Sequence, residues 1–577
     1  MKTREIIRKW LEYLKPNRSS AILGFFLLLF SSAIAIITPL FIKGIIDEGI
    51  MGRSPSKLYT YGLLFLVLHM INFIVSYFNS VILETMGQNI MINLKRDTYG
   101  SILKKHINFF GENPEGKLIS KVESDGESIR QLFTANTVSL LSNILVLAGM
   151  VIIMLRLNAR LFLITVGFVL PLLIFTMYLY QKAAQPKFKE LRKRVAEITA
   201  FLVEYFRGME IVKVFNRIGL VRGHLKKLNT DMYRTGYSAE RLNIVFYNSI
   251  TMLQIFGFAV ILYSGGKMIL NGATSYGTLV LFINYIRQFF EPIIRLSQQF
   301  SFIEKAKASS VRIFELQKDE GNEEYKGTED FSFENNIVFK DVCYSYDGKK
   351  GVLKNVNLEI KKGKKTAFVG RTGGGKTTVI KLMLKLLSPD SGSIEVDGKD
   401  IGTIRQETLR DKIGYVSQNI FLFSGTLMDN FKMFDSSISD EEVFAVCRKI
   451  GIYERISSLP GGFSTKVSES GKNFSKGEQQ LINIARAMIR APEIVIMDEA
   501  TSTINAKFEK RIIDAVRMMS ERSTLVSIAH RITTINDADI IYLIEDGAVT
   551  ASGSHDELQK KSTIYKRYND ILGGFLE

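Results

Sequence analysis

The sequence predicts a multidomain membrane protein, a six-helix α-helical transmembrane domain fused to an α/β P-loop domain. Three observations lead there. Long uncharged apolar runs crowd the first half of the 577-residue chain and are missing from the second. A glycine-rich stretch, Gly370-Arg371-Thr372-Gly373-Gly374-Gly375-Lys376-Thr377, follows a short apolar run and precedes helical spacing that begins at Thr378. A second apolar run, 494–497, ends on Asp498-Glu499.

Composition agrees with such a division. Hydrophobic residues make up 46% of the chain although 23% is charged, and mean hydropathy is +0.10. That mixture suits an apolar membrane part joined to a water-soluble one. A net charge of +17 admits nucleic acid or a membrane surface as partner; its placement in the loops favours membrane lipid and no nucleic acid. Cys343 and Cys447 are the only cysteines. With no C-x-x-C they suggest neither a zinc site nor a disulfide framework, and they fit a reducing cytosol.

The first half reads in order. A basic segment running to Arg18 precedes an apolar run that is longer than a signal-peptide core and lacks a cleavage site, so it reads as a retained span. The expected spans are 21–42, 58–83, 137–155, 161–180, 242–263 and 276–300, each near the roughly 20 residues a bilayer core requires. The sixth contains Arg287, Glu291 and Arg295. A charge at mid-membrane costs about 2.5–3.5 kcal/mol on insertion scales, so these side chains either snorkel to the inner interface or face an aqueous cavity. Asn248 and Gln254 are milder candidates for a polar wall. Residues 84–136 and 181–241 are rich in Lys and Arg, whereas the alternate loops are short and nearly uncharged. The positive-inside rule therefore puts the N-terminus and both long loops in the cytosol. The acidic, glycine-containing stretch 318–330 reads as a linker, giving a transmembrane domain at 1–317 and a nucleotide-binding domain at 331–577.

The glycine loop has a physical purpose. Glycines let successive N–H groups turn inward around phosphate oxygens, and the following helix directs its positive end at the same anion. Lys376 can reach the outer phosphates and the Thr377 hydroxyl can hold Mg²⁺. Asp498, about 120 residues later, can order the Mg²⁺ shell, and Glu499 can polarise an attacking water. ATP and Mg²⁺ are the implied ligands, and ATP hydrolysis is the implied reaction.

Taken together, these pieces resemble a half-transporter of the ATP-binding cassette exporter family, and the resemblance covers nearly the whole chain. It implies that Tyr346 stacks on adenine, that Gln418 touches Mg²⁺, and that His530 contacts the γ-phosphate. It identifies Ser475-Lys476-Gly477-Glu478-Gln479 as the signature loop, in which Ser475 and Gly477 serve the nucleotide of a partner chain. Glu469 matches the exporter-specific loop before it. The stretches from Phe109 to Gly116 and from Gly208 to Lys213 resemble the two coupling loops. The implied cycle is closure of two cassettes on ATP, opening of the cavity outward, and resetting by hydrolysis.

The chain departs from the family at two places. The usual Leu-Ser-Gly-Gly-Gln has Phe474, Lys476 and Glu478 at its first, third and fifth positions, and the loop after Walker B ends in Asn505 rather than Asp. Lys476 adds a side chain where close approach is wanted, and Glu478 adds negative charge near phosphate. The hydrolytic parts remain and the signature is impaired, which implies a heterodimer with a homologous second half; tolerant drift in a homodimer is the alternative. The implied function is multidrug export of amphiphilic small molecules across a bacterial inner membrane, the alternatives being lipid or peptide cargo or a nucleotide-gated, non-pumping subunit.

Overall fold

The computed structural model describes residues 3–318, 327–346, 348, 351–498, 506–529 and 535–573, side chains at 135–139, 295–301, 469, 506–507 and 571–573 excepted. The chain divides into two compact units, Met1–Leu103 with Glu115–Lys318, and Lys104–Pro114 with Asp319–Glu577. The helices of the first half are α1 (Thr3–Leu14), α2 (Arg18–Gly44), α3 (Pro55–Leu103), α4 (Ile107–Glu112), α5 (Glu115–Gln131), α6 (Thr137–Arg207), α7 (Met209–Val214), α8 (Ile218–Leu270) and α9 (Tyr276–Leu316). Of these, α4 alone belongs to the second unit.

In the first unit, four helical stretches among the described residues are long and apolar enough to cross a membrane: Thr3–Met51, Pro55–Leu103, Leu140–Arg207 and Ile218–Leu270. The third contains 161–180 and most of 137–155, two of the expected spans. It breaks at Asn158, whose backbone is extended (φ −159°, ψ 91°). The Asn158 Oδ1 accepts from the Leu161 N–H at 3.0 Å, starting the second arm as an N-cap does. The sixth expected span, in α9, carries Arg287 and Glu291 in its middle and is not among the four.

Buried Met150, Leu161, Val169, Phe246, Ile261, Phe282, Tyr285 and Phe290 form the core that α6, α8 and α9 share. Outward faces are apolar too, with Phe26, Phe73 and Phe175 well exposed, as a helix bundle solvated by lipid requires. Two polar staples tie α9 to its neighbours. At its start, Asp47 accepts from the Ser275 hydroxyl at 2.6 Å and from the Gly277 N–H at 2.7 Å. Near its end, the Arg312 guanidinium grips buried Asp125 of α5 with two N–H groups at 2.7 and 2.5 Å.

The strands of the second unit are β1 (Asn336–Ser345), β2 (Gly351–Lys361), β3 (Lys365–Val369), β4 (Ser391–Val396), β5 (Lys399–Asp400), β6 (Ile413–Val416), β7 (Gly425–Thr426), β8 (Lys466–Val467), β9 (Ile494–Asp498), β10 (Thr524–Ile528), β11 (Ile540–Glu545) and β12 (Ala548–Gly553). One sheet is antiparallel, in the order β2-β1-β4-β5. The larger one runs β12-β11-β3-β10-β9-β6, parallel from β11 to β6 with β12 antiparallel on its edge. Strands β9 and β10 are buried at every residue, which is why they read as unbroken apolar runs.

The described helices of this unit are α10 (Lys376–Met383), α11 (Gln406–Asp411), α12 (Leu427–Lys432), α13 (Asp440–Lys449), α14 (Tyr453–Ser457), α15 (Lys476–Ile489), α16 (Ala506–Ser520), α17 (His555–Lys561) and α18 (Thr563–Gly573). One core lies around Phe339, Phe368, Ile380 and Ile496. A second, around Leu427, Phe431, Cys447 and Leu481, knits α12, α13 and α15 together. Burial pushes the Cys447 thiol up to about 12, so it is inert core rather than chemistry.

Candidate functional site

The glycine loop leaves β3 at Gly370 and delivers the chain to α10. Three of its glycines adopt positive φ: Gly370 at +146°, Gly373 at +83° and Gly375 at +107°. Their reasons differ. A Cβ on Gly370 would meet the Ile544 carbonyl oxygen at 2.0 Å, and one on Gly375 would meet Leu353 Cδ2 at 2.6 Å, whereas nothing lies within 4 Å at Gly373. The outer two are thus fixed by close packing as well as by dihedral, and the middle one by dihedral alone.

Lys376 is buried, with 6% of its surface exposed. Its Nζ donates to the carbonyl oxygens of Gly370 at 2.7 Å and Arg371 at 2.8 Å. Burial holds the ammonium below its ordinary pKa, and the charge of Asp498 offsets part of that. The amine is therefore tied back across its own loop, curling it into a ring.

A cavity of about 370 Å³ opens here, lined by Tyr346, Val352, Thr372, Gly373, Gly375, Lys376, Thr377, Thr378, Gln418, Asp498 and Ile528. Gly370, Arg371 and Gly374 shape the loop without lining the cavity. Thr377 is exposed and Thr378 buried; the Thr378 hydroxyl lies 3.3 Å from the Tyr346 hydroxyl. The Tyr346 ring, at one wall, has the Lys381 ammonium 5.7 Å from its centroid. Asp498 is buried where β9 ends.

These residues fit Mg²⁺ and a triphosphate. The cradle is one that Cβ atoms would fill, and Thr377, Gln418 and Asp498 offer hard oxygen donors around one space. Among the described residues no group of three or more His, Cys, Asp or Glu could hold a metal, so an ion here would depend on phosphate oxygens as well. Glu499 and His530 lie outside the described residues, as does Asn505; the Glu469 and Arg295 side chains do too.

The signature-loop residues stand apart. Ser475 and Gly477 do not line the cavity. Ser475 caps α15, its hydroxyl accepting from the Glu478 N–H at 3.3 Å. Glu478 returns the bond: its Oε2 accepts from the Ser475 N–H and from the Ser475 hydroxyl, both at 2.8 Å, completing a capping box. Its other oxygen takes the Arg455 Nε–H at 2.7 Å. The carboxylate expected to project charge toward phosphate is instead buried and neutralised, whereas Lys476 is exposed. Burial pushes the Glu478 carboxyl up, but Arg455 and the Ser475 N–H and hydroxyl outweigh it and hold it below the ordinary carboxylate range.

Other residues were not singled out by sequence reasoning. Asn108 of α4 donates to the Tyr344 hydroxyl at 3.0 Å, and the Tyr344 ring meets Tyr346 edge-on at 5.1 Å. A hydrogen bond thus links the first coupling segment to the wall of the cavity. Buried Asn430 ties down the loop after Gln418, donating to the Phe423 and Thr426 carbonyls and accepting from Arg486. A side-chain amide in a helical stretch carries no legible signal, although Tyr344-Ser345-Tyr346 as a paired aromatic motif does. In the first unit, the Asn248 amide is spent on the Ile244 carbonyl at 2.8 Å, and Phe246 is core, stacked on Tyr180 at 4.1 Å.

Two expectations follow. Gly373→Ala should cost the second unit about 1 kcal/mol, the strain of a left-handed residue. Gly375→Ala should cost at least about twice that and weaken nucleotide binding, since strain and clash act together; thermal melts of the two variants in the opposite order would contradict the loop geometry. The Arg455–Glu478 pair should carry a pH signature. A carboxyl held low when folded stabilises above its unfolded pKa and loses that contribution as pH falls through the folded value. Arg455→Ala should therefore melt earlier than the parent at pH 7, with the gap narrowing as pH falls from about 5 toward 3. A gap constant with pH would mean that the pair does not act through charge.

Comparison with known proteins matches the two parts separately. Residues 21–293 match the ABC transporter transmembrane region and residues 353–502 match the ABC transporter family model. The chain is 31% identical to the ABC transporter ATP-binding protein YknV of Bacillus subtilis over 96% of this chain and 92% of the relative. It is 28% identical to a fatty acid ABC transporter ATP-binding/permease protein of Mycobacterium bovis, over 84% and 76% respectively. A probable multidrug resistance ABC transporter ATP-binding/permease protein of Bacillus subtilis, YheH, is 28% identical over 85% and 74%. With the nucleotide cradle and the membrane helices in one polypeptide, the chain belongs to the ABC transporters, as a half-transporter whose ATP-hydrolysing domain is coupled to transport.

Proposed function

We propose that this chain is one half of a dimeric exporter that uses ATP to move amphiphilic small molecules across the cytoplasmic membrane by alternating access. The observation that carries this reading is the fusion of bilayer-crossing helices to a cavity where Lys376, Thr377, Gln418 and Asp498 converge. In this reading six spans fill residues 1–317, 318–330 is a linker, and 331–577 is the cassette. The N-terminus and the cassette are cytosolic, in a bacterial inner membrane.

The glycine loop and Lys376 bind the triphosphate, and the face of Tyr346 orients the base. When bound, Mg²⁺ held by Thr377, Gln418 and Asp498 supplies neutralisation of phosphate charge. Glu499 directs the attacking water and His530 steadies the γ-phosphate, roles assigned through the resemblance. Two segments are suited to carry closure to the spans. One is α4, through the Asn108–Tyr344 bond. The other is α7, which presents exposed Ile211 and Val214, followed by exposed Phe215. That apolar face needs a seat on a partner.

The partner is a different, homologous half. The Ser475 hydroxyl is engaged with the Glu478 carboxylate, and Glu478 with Arg455. Backed by Arg455, this charged box holds the hydroxyl proton more tightly than a glutamine box would and competes with a neighbouring γ-phosphate for it. Two such copies would face each other with two impaired signatures, whereas a partner with an intact one would complete the site containing Glu499. Lipid is the second cargo reading, since one relative's name specifies fatty acids and another's multidrug resistance. A non-pumping subunit is the reading that ATP-dependent uphill flux in vesicles excludes.

In the assembled transporter, Glu499→Gln should leave ATP binding intact and lower turnover at least about tenfold; unchanged hydrolysis would remove Glu499 from its role. Affinity purification from the native membrane should bring down a homologous second chain. Vigorous transport by this chain reconstituted alone would instead establish the homodimer.

A further inference from the structure

The remaining question is what part of a cargo this half-transporter recognises, and α9 bears on it. About 100° of turn per residue puts Asn284, Arg287, Gln288 and Glu291 on one arc of that helix. The opposite arc, with Phe282, Tyr285 and Ile286, is buried in the first unit's core. Arg287, Gln288 and Glu291 are exposed, so α9 is amphipathic with its polar side outward.

Depth makes that orientation informative. At about 1.5 Å per residue, Arg287 lies about 16 Å from the start of α9 at Tyr276; in the six-span reading, with 276–300 crossing the bilayer, that is near the middle of a core about 30 Å thick. From there it is too far from either surface to snorkel. A guanidinium facing lipid tails at that depth is strongly disfavoured, whereas one facing a water-filled, partner-enclosed cavity is not. Glu291 is already engaged within the chain. For Arg287, no hydrogen bond or ion pair occurs among the described residues. Its neighbours one or two turns away on the same side, Val280, Ile283 and Ile294, are apolar and half-buried.

We propose that Arg287 is the head-group subsite of the translocation cavity and that it selects amphiphiles with an anionic head, a carboxylate or phosphate, whose chains lie along the Val280–Ile283–Ile294 side of α9. The assignment rests on the exporter reading above and deepens it. A planar fork of N–H donors suits both oxyanions, held by two parallel bonds. An apolar cargo would leave the charge desolvated without compensation, and a cationic cargo would be repelled.

The test uses the transporter with the partner it purifies with, reconstituted in vesicles. ATP-driven movement is measured for three probes of equal chain length: a fatty acid, a lysophosphatidic acid and a quaternary-ammonium amphiphile. The readout is the ratio of anionic to cationic transport, which does not depend on how much of a variant is active. Arg287→Gln should lower that ratio at least about tenfold, and Arg287→Lys should lower it measurably but less than Arg287→Gln does, because the charge remains while the fork is lost. Whichever anionic probe shows the drop identifies carboxylate or phosphate as the recognised group. Equal losses for anionic and cationic probes in Arg287→Gln, or a parent that moves only the cationic probe, would overturn the subsite and leave the exporter intact. A parent that hydrolyses ATP yet moves none of the three would overturn the exporter reading itself.

Discussion

The second unit depends on one constraint: a triphosphate can be gripped only by a backbone that already points its N–H groups inward. Gly370 has no room for a side chain against the Ile544 carbonyl, and Gly375 has none against Leu353. The loop is therefore pinned by β11 on one side and by β2 on the other. Lys376 completes the pinning from within by donating to two loop carbonyls. Its desolvated ammonium is held in place by dipoles, and phosphate oxygens would replace those dipoles with full charges at little reorganisation cost. The parallel sheet behind it, buried along β9 and β10, then fixes Asp498 against the same space.

What the sequence revealed followed from strict periodicity or from residues with few alternatives. The P-loop was legible because glycine, lysine and threonine at those spacings serve one purpose, and the parallel strands because burial on both faces erases polar alternation. The break at Asn158 falls in the short interval 156–160 that separates two of the expected spans. Long-range side-chain partnerships were not legible. Nothing local marks Asn108 as a partner of Tyr344, or Asn430 as the residue that organises a loop with Arg486. Those contacts depend on which elements meet, and that is a property of the folded chain.

The signature loop shows why a motif departure cannot be interpreted by charge alone. Glu478 in place of glutamine suggests repulsion of phosphate. In the structure its carboxylate is the N3 partner of an N-cap serine and is clamped by Arg455. Glutamine could form the same box, but it would not engage Arg455 with a charge. The substitution therefore trades a neutral cap for a charge-assisted one, which holds the Ser475 hydroxyl more tightly. The negative charge that sequence reasoning aims at phosphate is instead spent on Arg455 and on the cap of α15.

The same logic separates the two kinds of charge in the membrane unit. Asp47 and Asp125 are carboxylates with assigned work, one holding the start of α9 and the other meeting Arg312 near its end. Between these staples α9 is held with its aromatic face inward, so its polar stripe cannot rotate out of view without breaking both. A helix fixed at both ends keeps Arg287 directed away from the core. Charge at that depth persists in a chain only where the surroundings are wet or the charge has a use, and the rigidity of α9 ties the two together.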